Sequence, residues 1–295
     1  MYVSECKQRP IFFLISRLNS IMGMAVDWVG HNLYWTDEGL RAIFVADLQT
    51  ASKRLSLISD DLVHPRSIVV DALNGLMYWA NWPAGPPLEE DLKESGKIEV
   101  AWLDGSHRRS LISDDLIWPN GLSIDDRQER IYWCDSYLQR IESVSLTGNA
   151  QDSRKLHLSH HSHPTMLNQP YGLTFHREAI YWSEFEKGHV LSYDLETANV
   201  SVVLRENPQS FALKIFDRSR QPHQSHPCSN RPCSDLCLVV PSEKEYVCKC
   251  RDGSRPDHAH QGKCQEIANW SPPTHCRENE FQCKTNLKCI DVVYK

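Results

Sequence analysis

With 295 residues the chain is long enough for one large domain plus small satellites, and its 41% apolar content can bury a core. A net charge of −6, with both signs scattered along the chain, leaves no basic stripe for nucleic acid and no block of like charge for a disordered tail. No apolar run approaches the roughly eighteen residues needed to span a bilayer; the longest candidate, Ile11 to Ile15, follows Glu5, Lys7 and Arg9, so Met1 does not open a secretory leader.

In chain order, the first strong signal is a repeat. Tyr-Trp recurs at Tyr34-Trp35, Tyr78-Trp79, Tyr132-Trp133 and Tyr181-Trp182, at spacings of 44, 54 and 49 residues. Each copy sits in one frame: a short β-branched run, a polar turn, an aliphatic residue, Tyr-Trp, then an acidic or amide residue. The frames are GMAVDWVGHNLYWTD, RSIVVDALNGLMYWAN, NGLSIDDRQERIYWCD and YGLTFHREAIYWSE. Further alternating runs follow (RAIFVADL, GKIEVAWLDG, QRIESVSLTG, GHVLSYDLET), bounded by Asn-Gly, Asp-Gly and Thr-Gly turns. Period-2 alternation of this kind predicts half-buried antiparallel strands. About four strands per unit, at a period in the forties, is the signature of a β-propeller blade rather than a helical solenoid. Pro65-Arg66-Ser67, Pro119-Asn120-Gly121 and Pro170-Tyr171-Gly172 mark blade entrances. There proline has no ladder bond to lose, and the small residue two places on permits close backbone approach. The Tyr and Trp supply apolar area, with a hydroxyl and an indole N–H that need local partners.

Eleven cysteines are spread unevenly: Cys6 and Cys134 stand alone, and nine fall between Cys228 and Cys289. The step marks a domain boundary. So dense a tract needs disulfide staples and hence an oxidising, extracellular compartment. The competing reading, a zinc cluster, is opposed by a single CxC pair and no paired CxxC. Cys228, Cys233, Cys237, Cys248, Cys250 and Cys264 form C-x4-C-x3-C-x10-C-x-C-x13-C, for which arithmetic alone allows fifteen pairings.

Catalytic signatures are missing: the sequence has no Walker loop, GxGxxG, GxSxG or HExxH. Asp27, Asp37, Asp71, Asp125 and Asp135 recur at matched blade positions, which points to turn backbone rather than to a metal-lined channel. His157, His160, His161 and His163 are read as a solvated loop rather than a metal site. His64 is a pH-sensing candidate, with an ordinary rim residue as the plainer reading. Cys134 reads as a free buried thiol, with mispairing to Cys6 as the other option. Asn199-Val200-Ser201 and Asn269-Trp270-Ser271 are glycosylation acceptors in an exported chain. Asn199 is preferred because Trp270 is expected against the cysteine-rich module.

LYWTDE, MYWANW, IYWCDS and IYWSEF together resemble the YWTD (class B) repeats of the low-density lipoprotein receptor family, over about two thirds of the chain. GKIEVAWLDGSHRRSLI and IWPNGLSID resemble the endocytic, receptor-related branch of that family. The resemblance implies an all-β chain: 1–10 the tail of a preceding EGF-like module, 11–217 a YWTD β-propeller, 224–265 an EGF-like module and 274–295 a truncated class A ligand-binding repeat. The family's propeller has six blades, whereas this stretch has room for four to five. PIFFLISRLNSI (Pro10 to Ile21) looks like the family's first strand and FALKIFD (Phe211 to Asp217) like its last. About two blades are therefore expected to be missing after Ile21, through splicing or a faulty gene model.

The EGF-like spacing implies the pairs Cys228–Cys237, Cys233–Cys248 and Cys250–Cys264. Gln224 to Pro227 offers no carboxylate, so that module is expected to bind no calcium. Cys276, Cys283 and Cys289 look like half of a class A repeat; calcium belongs to the complete class A repeats of the parent, and no cofactor is expected in this chain. Trp82 and Trp118 match tryptophans on the binding face of related propellers, and Tyr137 and Phe185 occupy nearby positions after their own repeats. The implied function is that of the ectodomain of a single-pass, membrane-anchored endocytic receptor. Its propeller would space the ligand-binding repeats, bind extracellular proteins or its own class A repeats, and help release cargo in endosomes. Alternatives are a nidogen-like matrix linker, a Wnt-type co-receptor and, remotely, a propeller hydrolase; the expectation is no enzyme.

Overall fold

The computed structural model describes residues 20–50, 53–85, 95–125, 127–147, 153–205, 212–222, 225–242 and 245–270. The features expected at Cys6, along Pro10 to Asn19 and at Cys276, Cys283 and Cys289 lie outside these residues. Four antiparallel meanders follow one another as four-stranded sheets. The first comprises β1 (Ile21–Asp27), β2 (Asn32–Asp37), β3 (Ala42–Asp47) and β4 (Arg54–Ile58); the second β5 (His64–Asp71), β6 (Leu76–Trp82), β7 (Lys97–Trp102) and β8 (Arg109–Ile112). The third comprises β9 (Pro119–Asp125), β10 (Arg130–Asp135), β11 (Arg140–Ser145) and β12 (Lys155–Ser159); the fourth β13 (Pro170–His176), β14 (Ala179–Glu184), β15 (His189–Asp194) and β16 (Val200–Arg205). This is a YWTD-type propeller, with one Tyr-Trp on the second strand of every blade.

First strands meet at the axis, β1 against β5, β5 against β9 and β9 against β13. Their backbones touch through the small residues of the entrance signal. A Cβ on Gly23 would sit 2.8 Å from the Ser67 Cα, and one on Gly121 2.3 Å from the Leu173 N. Among the described residues β13 and β1 share no comparable interface. Residues 212–217 were expected to supply the last strand, but they hold no strand; Leu213 runs beside Gly172 without a ladder partner.

Strand alternation sends the two aromatic residues of each motif to opposite faces of their sheet. The Tyr of one blade therefore shares a core with the Trp of the next: Tyr34 with Trp79, Tyr78 with Trp133, Tyr132 with Trp182. Trp35 lies in a separate cluster with Leu33 and Phe44, and Tyr181 is half-buried. The Tyr34 hydroxyl donates to the Leu103 carbonyl of the neighbouring blade at 2.9 Å. The indoles depart from expectation, because Nε1 of Trp35, Trp79, Trp133 and Trp182 finds no acceptor among the described residues. Trp79 and Trp133 instead carry the guanidinium groups of Arg108 and Arg154, each 5.4 Å from the ring centroid. Those arginines pair with buried Glu99 (2.8 Å) and Glu142 (2.9 Å) and donate to carbonyls of the loops leading into their blades, at Asp61 and Asp115.

The residue two places after each Tyr-Trp fixes the strand entrance. Asp37 accepts from the Ser20 N–H, Asn81 from Val63 and His64, Asp135 from Ile117 and Trp118, and Glu184 from Asn168, at 2.8–3.3 Å. An acceptor at this position ties the loop to the second strand of its own blade, satisfying backbone donors that the ladder cannot reach.

At the opposite end of the blades lies the disulfide module: β17 (Leu236–Val239) pairs with β18 (Tyr246–Lys249), and β19 (Ser254–Pro256) with β20 (Cys264–Glu266). Its bridges join Cys228 to Cys237, Cys233 to Cys248 and Cys250 to Cys264. Leu236, Leu238 and Val239 enter the same core as Tyr34, Trp79 and Leu103. Polar ties surround that contact: Asn32 Nδ2 to the Cys237 carbonyl at 2.8 Å, Asp252 N to the Arg54 carbonyl at 2.8 Å, and Ser56 N to Asp252 Oδ1 at 3.1 Å. Gly75 (φ 67°) packs so tightly that an added Cβ would lie 3.0 Å from the Val240 Cα.

Asp27 orients Asn32 from behind, accepting from the Val29 and Gly30 N–H groups at 3.1 and 2.8 Å and from Asn32 Nδ2 at 3.4 Å. Burial pushes its carboxyl from 3.8 up to about 6, against the lowering effect of those hydrogen bonds. The folded state thus holds a proton that the unfolded chain has released, so this contribution to stability is complete below about pH 4 and is lost as pH rises through about 6. Replacing Asp27→Asn should flatten the pH dependence of denaturant stability in that window by about 1–3 kcal/mol relative to the parent; an unchanged slope would place the proton elsewhere.

Candidate functional site

The loops at the end away from the disulfide module hold every aromatic residue singled out by sequence. Trp82 closes β6, Trp118 precedes β9, Tyr137 follows β10 and Phe185 follows β14. Three of them form one platform. Trp82 stacks on Trp118 at 5.3 Å and 18°, and Trp118 meets Tyr137 edge-on at 5.2 Å. Trp82 Nε1 donates to the Pro119 carbonyl at 2.7 Å, which fixes the indole across the blade junction. Both tryptophans are half-buried, while Tyr137 is 46% exposed. Inter-blade packing and outward presentation are therefore combined in the same side chains. Phe185 is set apart, against Tyr171 at 5.6 Å.

The platform continues into a charged cluster. The Arg66 guanidinium lies 3.8 Å from the Trp82 ring centroid and pairs with Glu38 at 2.8 Å. His64 Nδ1 lies 2.8 Å from the same Glu38 oxygen. Burial lowers the Arg66 pKa, opposed by Glu38 and Tyr171. Burial raises that of Tyr171, opposed by the Arg66 charge. Glu38 from the first blade, Arg66 from the second, Trp118 from the third and Tyr171 from the fourth thus lie along one loop face. Glu38, Arg66 and Tyr171 were not singled out as site residues. Arg66 and Tyr171 carry a readable signal: each is the middle residue of a Pro-x-small entrance, where Met22 and Asn120 hold the matching positions in the other blades. Arg66 Nη1 accordingly reaches the Met22 sulfur at 3.3 Å.

The recurring aspartates are occupied with backbone. Besides Asp27, Asp37 and Asp135, Asp71 accepts from the Asn74 N–H and Asp125 from the Arg127 N–H, both at 3.0 Å. The histidines do not converge: His157 bonds Ser143 Oγ at 2.8 Å, His160 the Leu167 carbonyl at 2.9 Å and His163 Ser162 Oγ at 2.8 Å. Burial, then Arg130 and Lys155, lowers His157 to about 4. Among the described residues the one grouping with metal-ligand spacing is Asp235, Cys250 and Cys264, whose two cysteines are bridged to each other and offer no thiolate. Asn199 and Asn269 are both exposed. Trp270 is 42% exposed, with one ring edge against Gly253 of the disulfide module.

The low-density lipoprotein receptor repeat class B profile matches residues 31–72 and 75–125. Over 248 residues the chain is 32% identical to the vitellogenin receptor Yl of Drosophila melanogaster, covering 83% of this chain and 12% of that protein. It is 27% identical to the vitellogenin receptor of Solenopsis invicta, covering 84% and 13%. The chain thus spans about an eighth of the length of these relatives. Among solved structures it is similar to a chain of a nidogen/laminin complex, with 29% identity, a TM-score of 0.53 and 63% of each chain covered.

Cys134 is fully buried, its Sγ 3.4 Å from the Tyr171 carbonyl, and burial pushes its thiol up to about 12. A thiol so placed is unreactive. Iodoacetamide at mildly alkaline pH should leave Cys134 unmodified in the native protein and label it only after denaturation, as read by peptide mass spectrometry.

Proposed function

This chain carries the class B repeats of the low-density lipoprotein receptor family, and from that premise we propose that it forms an extracellular part of an endocytic receptor that takes up a protein of the vitellogenin kind. The observation that carries the reading is the aromatic and cationic loop face described above. Stacked tryptophans, a partly exposed tyrosine and an arginine are the residue types that dominate protein–protein contact energy. They are held on loops by rigid sheets, where binding groups belong. The kinship with two vitellogenin receptors supplies the ligand class. The bridged cysteine module supports an oxidising, extracellular setting. No helix among the described residues is long and apolar enough to cross a membrane. The chain acts as a binding module and not as an enzyme: the blade aspartates are engaged with turn backbone, and the relatives are receptors.

Release fits the same face. An imidazole is the side chain that changes charge across endosomal pH. His64 and Arg66 share one Glu38 oxygen beside Trp82, so a change at the imidazole reaches the platform that a ligand, or the receptor's own class A repeats, would contact. A second reading, a matrix linker, is favoured by the likeness to the nidogen propeller.

The test is to immobilise the whole chain and pass purified vitellogenin and purified laminin over it at about pH 7.4 and about pH 5.5. Vitellogenin should bind at the higher pH, Trp82→Ala and Trp118→Ala should each weaken it by about tenfold or more, and His64→Gln should reduce the pH difference. Laminin binding alone would favour the matrix reading, and binding of neither would overturn the assignment of this face.

A further inference from the structure

A groove of about 740 Å³ lies at the other end of the propeller, where the second and third blades meet the disulfide module. Its size falls within the roughly 300–1,000 Å³ typical of ligand sites. Its walls are apolar: Leu76 and Ile124 from the blades, Val239 and Val240 from the module. Among the described residues its ionisable lining consists of Asp71, Glu129, Glu245, Tyr78 and His226. The three carboxylates come from separate places: the last residue of β5, the turn before β10 and the turn before β18. Asp71 is 6% exposed on the floor, whereas Glu129 and Glu245 are exposed at the rim.

One floor group lacks a partner among the described residues. His226 is 9% exposed, and its Nδ1 accepts the Cys228 N–H at 3.2 Å, which leaves the proton on Nε2. That Nε2 finds no hydrogen-bond partner among the described residues. A buried donor without an acceptor costs free energy, a cost that a bound carbonyl removes.

We infer that this groove is a second binding site, independent of the loop face, for an extended segment of a protein partner carrying an arginine or lysine between aliphatic residues. The cation lies among the three carboxylates, a peptide carbonyl accepts from His226, and the aliphatic neighbours cover Leu76, Ile124 and Val240. Such a segment touches both modules at once and binds only while they are docked. Charge complementarity sets the choice of ligand, because a neutral apolar segment leaves Glu129 and Glu245 facing it and an acidic one is repelled.

The probe is a fluorescently labelled, end-blocked peptide Leu-Arg-Val-Leu, titrated by anisotropy into the whole chain, with Leu-Gln-Val-Leu as the uncharged control. The arginine peptide should bind about tenfold or more tightly than the control. The double variant Glu129→Lys with Glu245→Lys, which changes only exposed positions, should abolish that preference, and Trp82→Ala should leave it intact. Equal binding of the two peptides, no binding at millimolar peptide, or an unchanged preference in the double variant would overturn the inference; loss of binding in Trp82→Ala would move the site to the loop face.

Discussion

The arrangement of this chain rests on the opposite facing of two adjacent aromatic side chains. Because consecutive residues of a strand project to opposite sides, the Tyr and Trp of the second and third motifs belong to two interfaces, one toward each neighbouring blade. Tyr34, Tyr78 and Tyr132 each pack in the core that holds the Trp of the following blade. No blade is a self-sufficient unit, since half of its largest apolar area is buried only by the next copy. This is the logic of repeat proteins, in which stability is carried by interfaces between neighbours.

The same coupling fixes what happens at the two ends of the blades. At one end, the acceptor that follows the Tyr-Trp holds the loop entering its own blade and so sets where Trp82, Trp118 and Tyr137 stand. At the other, the turns of the first two blades receive the disulfide module through Asn32, Arg54 and Gly75. Buried Asp27 belongs to that second junction. Its carboxyl satisfies turn donors and steers Asn32 toward the Cys237 carbonyl, and the cost of burying it appears as a raised pKa and not as a missing hydrogen bond. The propeller thereby stands between the aromatic loop face and a docked disulfide module.

Much of the loop face was legible in advance. Trp82 and Trp118 were expected there from their match to related propellers, Tyr137 and Phe185 from their positions after the repeat motif, and the four lie at one end because the motif is at the same height in every blade. What was missed, Glu38 and the pairing of Arg66 with Trp82, depends on a contact between the first and second blades that no single repeat displays. The groove beside the disulfide module was also invisible, since its lining residues come from positions as far apart as Asp71 and Glu245. The expected last strand at residues 212–217 failed for a related reason. An extended sequence becomes a strand only when a neighbour offers a ladder, and none is present among the described residues.

By itself the sequence determined the repeat of the described blades, the alternation that builds each sheet, the disulfide-rich module and the structural employment of Asp27, Asp37, Asp71, Asp125 and Asp135. These follow from local periodicity and turn chemistry, which act over a few residues. Only the tertiary structure decided which aromatic groups touch, that the indole N–H groups of the four motif tryptophans lack acceptors among the described residues, that the histidines around His160 stay apart, and that the disulfide module covers the end opposite the aromatic platform. Those outcomes depend on how one blade is placed against the next, and that placement is set by packing between segments distant in the chain.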